Sequence, residues 1–563
     1  MPPSSRLLLR ASRGTRRCFY FAIVAITIIV FFYYALAPED NNDVGPVMMG
    51  QAQNIQVQDD TIVNSPDESL FVNAVDPRRV PELKPGKYVP KIVGALDIGG
   101  SKEKYLTYLP HSGFSNQRTE LVNALLMANY LNRTLIVPPA FLGDISGWRE
   151  KSGLHAYWEK LTTGALEKIC GGDAESINLI NSHNPVTTND CAAYKAYAMV
   201  PWSWLVDFGS LMPDIRVVER REISLPLLKQ QLNLKDKDIY MVNEKSQYDW
   251  ILYDKPSNFK HPKYRRSFSL DHFQHKSHRL IHLYSIFGSG RVRFTEEPHN
   301  KLREHIIRSL IYRHDVVESI AAQIVQQLGG HNNYLGLHIR TGHVLFQRVL
   351  KQTMTMLLKN LGKETGYAPK NDDDEAAGAA ADLEIAALID QSSRHDDDND
   401  DRSDEPEFEP DHDPVGNQDA AVQLFQPGPF NKETPPIPLP TCVRLASRSR
   451  RGRHSLIFVA TDSHNPRADP LISRLFRRYP CSFSLVDLDP DQQLLAPLRD
   501  VRSPLDPGKD LTKFLIPLVD AMIAAQGSRF FGSPGSTFSG YIAMVHRVEK
   551  ARAKLKAKVN RTT

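Results

Sequence analysis

Cysteine is scarce. The chain has five in 563 residues, too few for a disulfide-dense scaffold. Long apolar runs are scarcer still, since only residues 18–38 qualify. With a mean hydropathy of −0.37, this excludes a multi-span membrane protein. There is no collagen-like glycine period and no internal repeat. Net charge is nearly absent too, with 69 Lys+Arg against 65 Asp+Glu giving +4. That small value is a cancellation. Residues 371–413 hold eighteen Asp/Glu against Arg394 and Arg402, a local net of −16, so the remainder carries +20. A 41% hydrophobic content excludes a wholly disordered chain. At roughly 150 residues per domain, the length suggests about three or four domains.

The one apolar run fixes an expected topology. Residues 18–38 carry no charge, and Thr27 is the only hydroxyl there apart from three tyrosines. About twenty residues rising roughly 1.5 Å each span about 30 Å, a bilayer's hydrocarbon core. Arg6, Arg10, Arg13, Arg16 and Arg17 precede it, and Glu39, Asp40 and Asp43 follow it. The positive flank stays cytosolic, so the bulk of the chain lies in the lumen. The run is long for a cleaved signal, and only Ala35-Leu36-Ala37 resembles a cleavage site. The reading is a cytosolic tail (1–17) and a transmembrane signal anchor (18–38) of a single-pass type II protein of the Golgi or endoplasmic reticulum membrane.

Lumenal exposure gives meaning to two sequons, at Asn132 and Asn560. Cys18 lies in the span. Cys170, Cys191, Cys442 and Cys481 make an even number in an oxidising compartment. Three pairings are possible, with free buried thiols as the alternative. Short separation favours Cys170–Cys191 and Cys442–Cys481.

Composition divides the rest. Residues 39–89 are polar and read as a disordered stem. Residues 365–440 combine Asp runs with Pro435, Pro436, Pro438 and Pro440, and read as a disordered insertion. Between them, helical and strand patterns alternate. Helices are expected at 117–131, 316–328, 466–479, 510–526 and 537–556. Strands are expected at 105–109, 134–137, 334–339, 455–460, 483–488 and 529–531. Such alternation argues for parallel sheets flanked by helices. The expected fold is α/β, with two Rossmann-like domains (90–300 and 301–550) facing a cleft and a basic tail (551–563).

In open α/β sheets ligands bind beyond the carboxyl ends of strands, and three segments stand there. Gly532-Ser533-Pro534-Gly535-Ser536-Thr537-Phe538 leaves a strand and opens a helix, which suits a phosphate, although Ser536 or Thr537 also suits a plain N-cap. His338-Ile339-Arg340 ends a strand with a permanently charged planar fork, the right shape for a diphosphate or for a structural ion pair. His111-Ser112-Gly113-Phe114-Ser115-Asn116-Gln117-Arg118 precedes a helix. Its glycine admits a ligand, and Asn116 and Gln117 offer amide donors and acceptors.

Taken in order, GFSNQR (113–118), LNRTLIVPP (131–139), HIR (338–340), VATD (459–462) and FFGSPGSTFSGYI (530–542) resemble the GDP-fucose-dependent fucosyltransferase superfamily that includes the protein O-fucosyltransferases. The resemblance covers roughly residues 100–348 and 450–548. It implies a GT-B-type fold with an acceptor-side N-terminal domain and a C-terminal domain that binds the donor. It implies inverting transfer of fucose from GDP-fucose to a protein or glycan hydroxyl, with no cofactor and no metal. By position, Arg340 would bind the β-phosphate and stabilise departing GDP. His338 would lie against guanine, and Asp520 would accept hydrogen bonds from its N–H groups. Ser536, Thr537 and Phe538 would cradle the phosphates, and Asp462 would touch the ribose. Asn116 would lie near fucose and acceptor, within the Gly113, Phe114 and Gln117 turn.

Two departures accompany the resemblance. Many members have Asp after HIR-T-G, where this chain has His343. Some have an acidic base in the glycine-rich loop, where this chain has Asn116. Glu120, one turn along, is the nearest candidate base, though its position also reads as a solvated helix face. Asp487-Leu488-Asp489 looks like the Asp-x-Asp metal motif of the other main glycosyltransferase class, but reads better as a solvated loop. The Asp runs at 372–374 and 396–398 read as solvating. Among the tryptophans (148, 158, 202, 204 and 250), core packing is the expected role for most. No nucleic-acid partner is expected. The competing function is a catalytically inactive, membrane-tethered protein that binds a glycan or GDP-sugar on the same fold.

Overall fold

The computed structural model describes Ile92–Val93 and residues 102–562. Within that range 144–150, 163–169, 171–187, 212–214, 256–260, 368–436 and the single residues 247, 262, 289, 343 and 450 are left undescribed. The expected cytosolic tail, the apolar run 18–38, the expected stem and most of the expected acidic insertion therefore fall outside the described residues. Among those described, no helix is long and apolar enough to cross a membrane. All of them belong to one compact unit, Ser65–Thr563.

In chain order the first half begins with β1 (Ile92–Val93), β2 (Tyr105–Tyr108) and helix α1 (Phe114–Tyr130). Next come β3 (Thr134–Val137), β4 (Ala140–Gly143), α2 (Lys151–Thr162), α3 (Thr188–Ala196) and β5 (Tyr197–Val200). β6 (Val217–Arg220), α4 (Leu225–Leu232), β7 (Ile239–Val242) and β8 (Trp250–Tyr253) follow. β9 (Arg266–Ser269), α5 (Leu270–Gln274), β10 (Leu280–Leu283), β11 (Val292–Arg293) and α6 (Glu297–Ser309) complete it. Six strands form one parallel sheet in the order β1-β6-β3-β2-β10-β7. Both faces are covered. Leu106, Leu135 and Ile281 point into the main core with Leu121 and Leu125 of α1. Tyr105, Ile136 and Leu280 meet Leu228 and Leu232 of α4 on the other side. Two-sided burial is what a parallel sheet requires.

The second half holds α7 (Asp315–Gln327), β12 (Leu335–Ile339), α8 (Val344–Thr365), α9 (Leu439–Arg448) and β13 (Ile457–Thr461). It continues with α10 (Ser473–Arg478), β14 (Ser482–Ser484), α11 (Leu485–Leu488), α12 (Thr512–Ala525), β15 (Phe530–Gly532) and α13 (Thr537–Thr562). Four of its strands form a second parallel sheet, β14-β13-β12-β15. The molecule is thus mixed α/β with parallel sheets.

The structure joins Cys170 to Cys191 and Cys442 to Cys481, the pairs that short separation favours. It also moves several boundaries. The helix expected at 466–479 shrinks to Ser473–Arg478, because Asp469 caps that turn by accepting from the N–H groups of Leu471 and Ile472. The strand expected at 483–488 stops at Ser484, where a reciprocal bond between Ser484 and Asp487 starts a helix instead. Asp487 and Asp489 are accordingly not a solvated loop. Asp487 pairs with Arg467 at 2.7 Å, and Asp489 accepts from Leu494 and Leu495 N–H. The insertion is shorter than 365–440 at its C-terminal edge, since Ile437 is buried and α9 opens at Leu439. Trp158, Trp202 and Trp250 are core residues.

α12 lies unusually close to β12. A Cβ at Gly336 would fall on the Ala524 carbonyl oxygen, and one at Gly527 would sit 2.6 Å from the Gly336 nitrogen. Backbone meets backbone here, so nothing flexible can yield. Gly336→Ala should therefore destabilise the protein by roughly 3 kcal/mol in urea unfolding. Gly540→Ala, in the first turns of α13 with open space around it, should be neutral or stabilising by about 0.5–1 kcal/mol. Equal effects would contradict this packing.

Candidate functional site

Register builds the site. His338 of β12 pairs with Ala460 of β13 on one side and Gly532 of β15 on the other. The three following residues or turns, Arg340, Asp462 and the 533–536 loop, therefore emerge at one edge of the sheet. Ser533 fastens them together. Its N–H donates to the His338 carbonyl at 3.1 Å, and its Oγ accepts from the Arg340 N–H at 2.9 Å. Ser533 sits inside a motif visible in the sequence, but only the strand pairing reveals what it holds.

Arg340 forms an ion pair with Asp462. Asp462 also accepts from Thr341 N–H at 2.6 Å, Thr341 Oγ1 at 2.8 Å and Gly342 N–H at 2.9 Å. Burial alone would raise its pKa. The Arg340 charge and the Thr341 donors outweigh that and hold it below its ordinary value. Four donors thus occupy the carboxylate expected to touch a ribose. Its role in this structure is to aim Arg340, which keeps about 29% of its side chain exposed at the strand end.

His338 is buried, its Nδ1 lying 2.7 Å from Ser539 Oγ and its ring edge-on to Phe538 at 5.1 Å. Burial lowers its pKa to about 4, with Asp462 opposing and Arg340 adding to the shift. The ring is neutral at neutral pH. Ser536 caps α13, its Oγ accepting from Ser539 N–H at 3.2 Å. The cap leaves the N–H groups of Thr537 and Phe538 at the positive end of the helix. Asp520, on α12, is buried among Val459, Thr461, Leu485 and Ile516, in a groove alongside β13. Its Oδ1 has no hydrogen-bond partner. Burial pushes its pKa well above the carboxylate range. Such a group awaits a donor.

The N-terminal turn corrects the sequence reading at Glu120 and Gln117. Glu120 is fully buried rather than on a solvated face. It accepts from His111 N–H at 2.8 Å and from Ser285 Oγ at 3.3 Å. Burial drives its pKa well up, against the His111 bond and the Arg291 charge. It shapes the turn and is closed off from solvent. Gln117 offers no free amide, because Nε2 donates to Ser112 and Phe141 carbonyls and Oε1 accepts from Phe141 N–H. Phe114 is stacked between Trp202 and Tyr312, at 5.5 and 4.6 Å. Asn116 remains half-exposed, its Nδ2 donating to Ser112 Oγ at 2.8 Å. Gly113 is the N-cap of α1, with no atom within 4 Å of a Cβ placed there. His343 lies outside the described residues. Asn132 is exposed, and Asn560 falls within α13.

The halves meet through Arg118, which sequence reading left unassigned. It donates to the Leu310 and Ile307 carbonyls at 2.8 and 2.6 Å, and lies over the Tyr541 ring. A cation at the C-terminal end of α6 complements that helix's dipole. Nothing in the sequence pairs residues so far apart.

The fold is thus parallel α/β with an arginine and a helix N-terminus at one sheet edge, an arrangement chemically suited to an anion. Comparison with known proteins narrows this. No family model matches the chain. O-fucosyltransferase 30 of Arabidopsis thaliana is 70% identical over 37 residues, and the match spans 7% of this chain and 7% of that relative's length. Solved structures of POFUT1 are also similar. The GDP complex has 11% identity and a TM-score of 0.31, covering 80% of this chain and 95% of that one. A GDP-fucose complex has 11% identity and a TM-score of 0.31 over 79% and 94%. The plant segment is thus a local likeness to a protein named an O-fucosyltransferase, in keeping with the resemblance that the ordered motifs carry.

Glu120 gives a pH prediction. A carboxyl whose folded pKa is raised binds its proton more tightly when folded. Its contribution to stability is therefore greatest below its ordinary value of 4.5 and is lost as pH rises toward the raised value. Glu120→Gln should melt higher than the parent at pH 8 and gain nothing at pH 4. An equal difference at both pH values would contradict a raised Glu120.

Proposed function

We propose that this chain is a type II membrane glycosyltransferase that transfers fucose from GDP-fucose to a hydroxyl of a protein or glycan acceptor, with inversion and without a metal ion. One observation carries the proposal. Arg340, braced by Asp462, stands beside the N-terminus of α13 at the strand edge, in the half that also holds the unpaired Asp520. Two anion-stabilising elements and one acceptor for guanine N–H groups match what a GDP-sugar presents.

In this reading the Arg340 guanidinium and the first-turn N–H groups of α13 take up the charge that grows on the departing diphosphate. Asp462 keeps the fork aimed, which limits reorganisation during the reaction. Asp520 accepts from guanine N1–H and N2–H, which relieves the cost of its unpaired burial. His338, neutral and fixed by Ser539, forms the floor near the base. Asn116 faces the sugar and acceptor. The two sheets would act as the two domains of a GT-B arrangement, and residues 18–38 would anchor the enzyme with its body in the Golgi or endoplasmic reticulum lumen. Asn116 takes no proton at neutral pH, so the acceptor hydroxyl would lose its proton through water or to the leaving phosphate.

A second reading has one observation in its favour. The only carboxylate in the turn and first helical turns from 111 to 120 is Glu120, and it is buried. A membrane-tethered binder of GDP-sugar or glycan, without transfer, would need no base there.

Two measurements test the donor site. Arg340→Ala should lower GDP-fucose turnover by about 10²–10³-fold while the variant stays folded at the assay temperature, and turnover should persist in EDTA. Full activity in that variant would remove Arg340 from the site. Asp520→Asn should weaken GDP binding by calorimetry at least tenfold and reduce its preference over ADP. GDP bound by the parent with no transfer to any peptide or glycan would favour the second reading.

A further inference from the structure

A buried cation lies in the first sheet, away from the strand edge that carries Arg340. Arg220 ends β6 and is only 6% exposed. Its Nε and Nη2 have no hydrogen-bond partner, and among the described residues no carboxylate pairs with it. The adjacent Glu219 is committed to Ser203, whose N–H and Oγ it accepts at 2.9 and 2.5 Å. It also points to the other face, by strand alternation. The phenol of Tyr108 feels the Arg220 charge, but burial raises its pKa and keeps it neutral.

Two histidines converge on the same place. His282 of β10 is fully buried, and neither ring nitrogen meets a side-chain partner. It shares the sheet face of Leu280, which packs on α4. His155 of α2 lies over it with ring centroids 6.0 Å apart, and its Nε2 is likewise unpartnered. Burial and then the Arg220 charge oppose a proton on either ring. The side chain of His155 is 16% exposed, so this is the side open to solvent. At that rim Glu159 lies 3.7 Å from His155 Nδ1 and accepts from Ser224 Oγ at 3.0 Å.

Buried polar groups are normally satisfied, and a guanidinium cannot shed its charge. A lone water can accept from both donors but leaves the charge uncompensated. An anion with several oxygens serves both, and matches the guanidinium fork. We propose that Arg220, His282 and His155 form a binding site for a small oxyanion, a carboxylate or sulfate group, between β6, β10 and α2. The site is separate from the proposed donor site and does not depend on that reading.

The test is thermal unfolding of the full chain in sodium sulfate, sodium acetate and sodium chloride at matched ionic strength. Sulfate or acetate should raise the melting temperature saturably above chloride, and the stronger of the two identifies the group preferred. Arg220→Met should abolish the saturable rise, and should melt no lower than the parent in chloride, because it removes an uncompensated charge. Arg340→Ala should retain the rise, which separates this site from the N-terminus of α13. If Arg220→Met fails to fold, His282→Gln should bind the same anion at least tenfold more weakly. The proposal is overturned by a rise no greater than in chloride. It is equally overturned by an unchanged response in Arg220→Met or His282→Gln, or by loss of the rise in Arg340→Ala.

Discussion

The pairing register of β12 governs this structure. With His338 opposite Ala460 and Gly532, three segments far apart in sequence end at one edge: Arg340, Asp462 and the 533–536 loop. A slip of one residue would turn every side chain of the strand to the other face. It would send Arg340 away from Asp462 and His338 away from Ser539. The close approach of α12 enforces the register from behind, since Gly336 leaves no room for Ala524 to move. Site geometry and sheet packing are thus one constraint.

That coupling explains the division of labour among the polar residues. Asp462, Ser533 and Ser539 spend their hydrogen-bonding capacity on aiming or fixing Arg340 and His338. Asp520 alone among the expected donor-site acids keeps a buried oxygen unpaired. A site prepared in this way meets a ligand with little rearrangement, which is where electrostatic stabilisation draws its strength.

Much of this was legible in the sequence, for a physical reason. Strand-end turns in parallel sheets must combine glycine, hydroxyl and charged residues at short range, so GSPGST and HIR announce themselves. The short-range disulfide pairs are of the same kind. What stayed hidden depends on long-range packing. Glu120 reads as a surface acid because its partner Ser285 is 165 residues away. Gln117 reads as a free amide because Phe141, across the turn from β3 to β4, consumes it. Arg118 closes the GFSNQR motif, but its partners are not readable there, since it binds carbonyls beyond residue 300. The end of β14 at Ser484 was readable in principle, as the Ser-x-x-Asp spacing of a helix start.

The acidic segment interrupts the chain between β12 and β13, yet its borders are stitched on either side. Gly452 N–H donates to the Thr365 carbonyl at 2.8 Å, and Tyr479 Oη donates to the Tyr367 carbonyl at 3.0 Å. The two strands it separates are directly paired along five residues. Peptide continuity across 368–436 is therefore not what holds the sheet together. The strand edge carrying Arg340 is held by contacts made on both sides of that stretch.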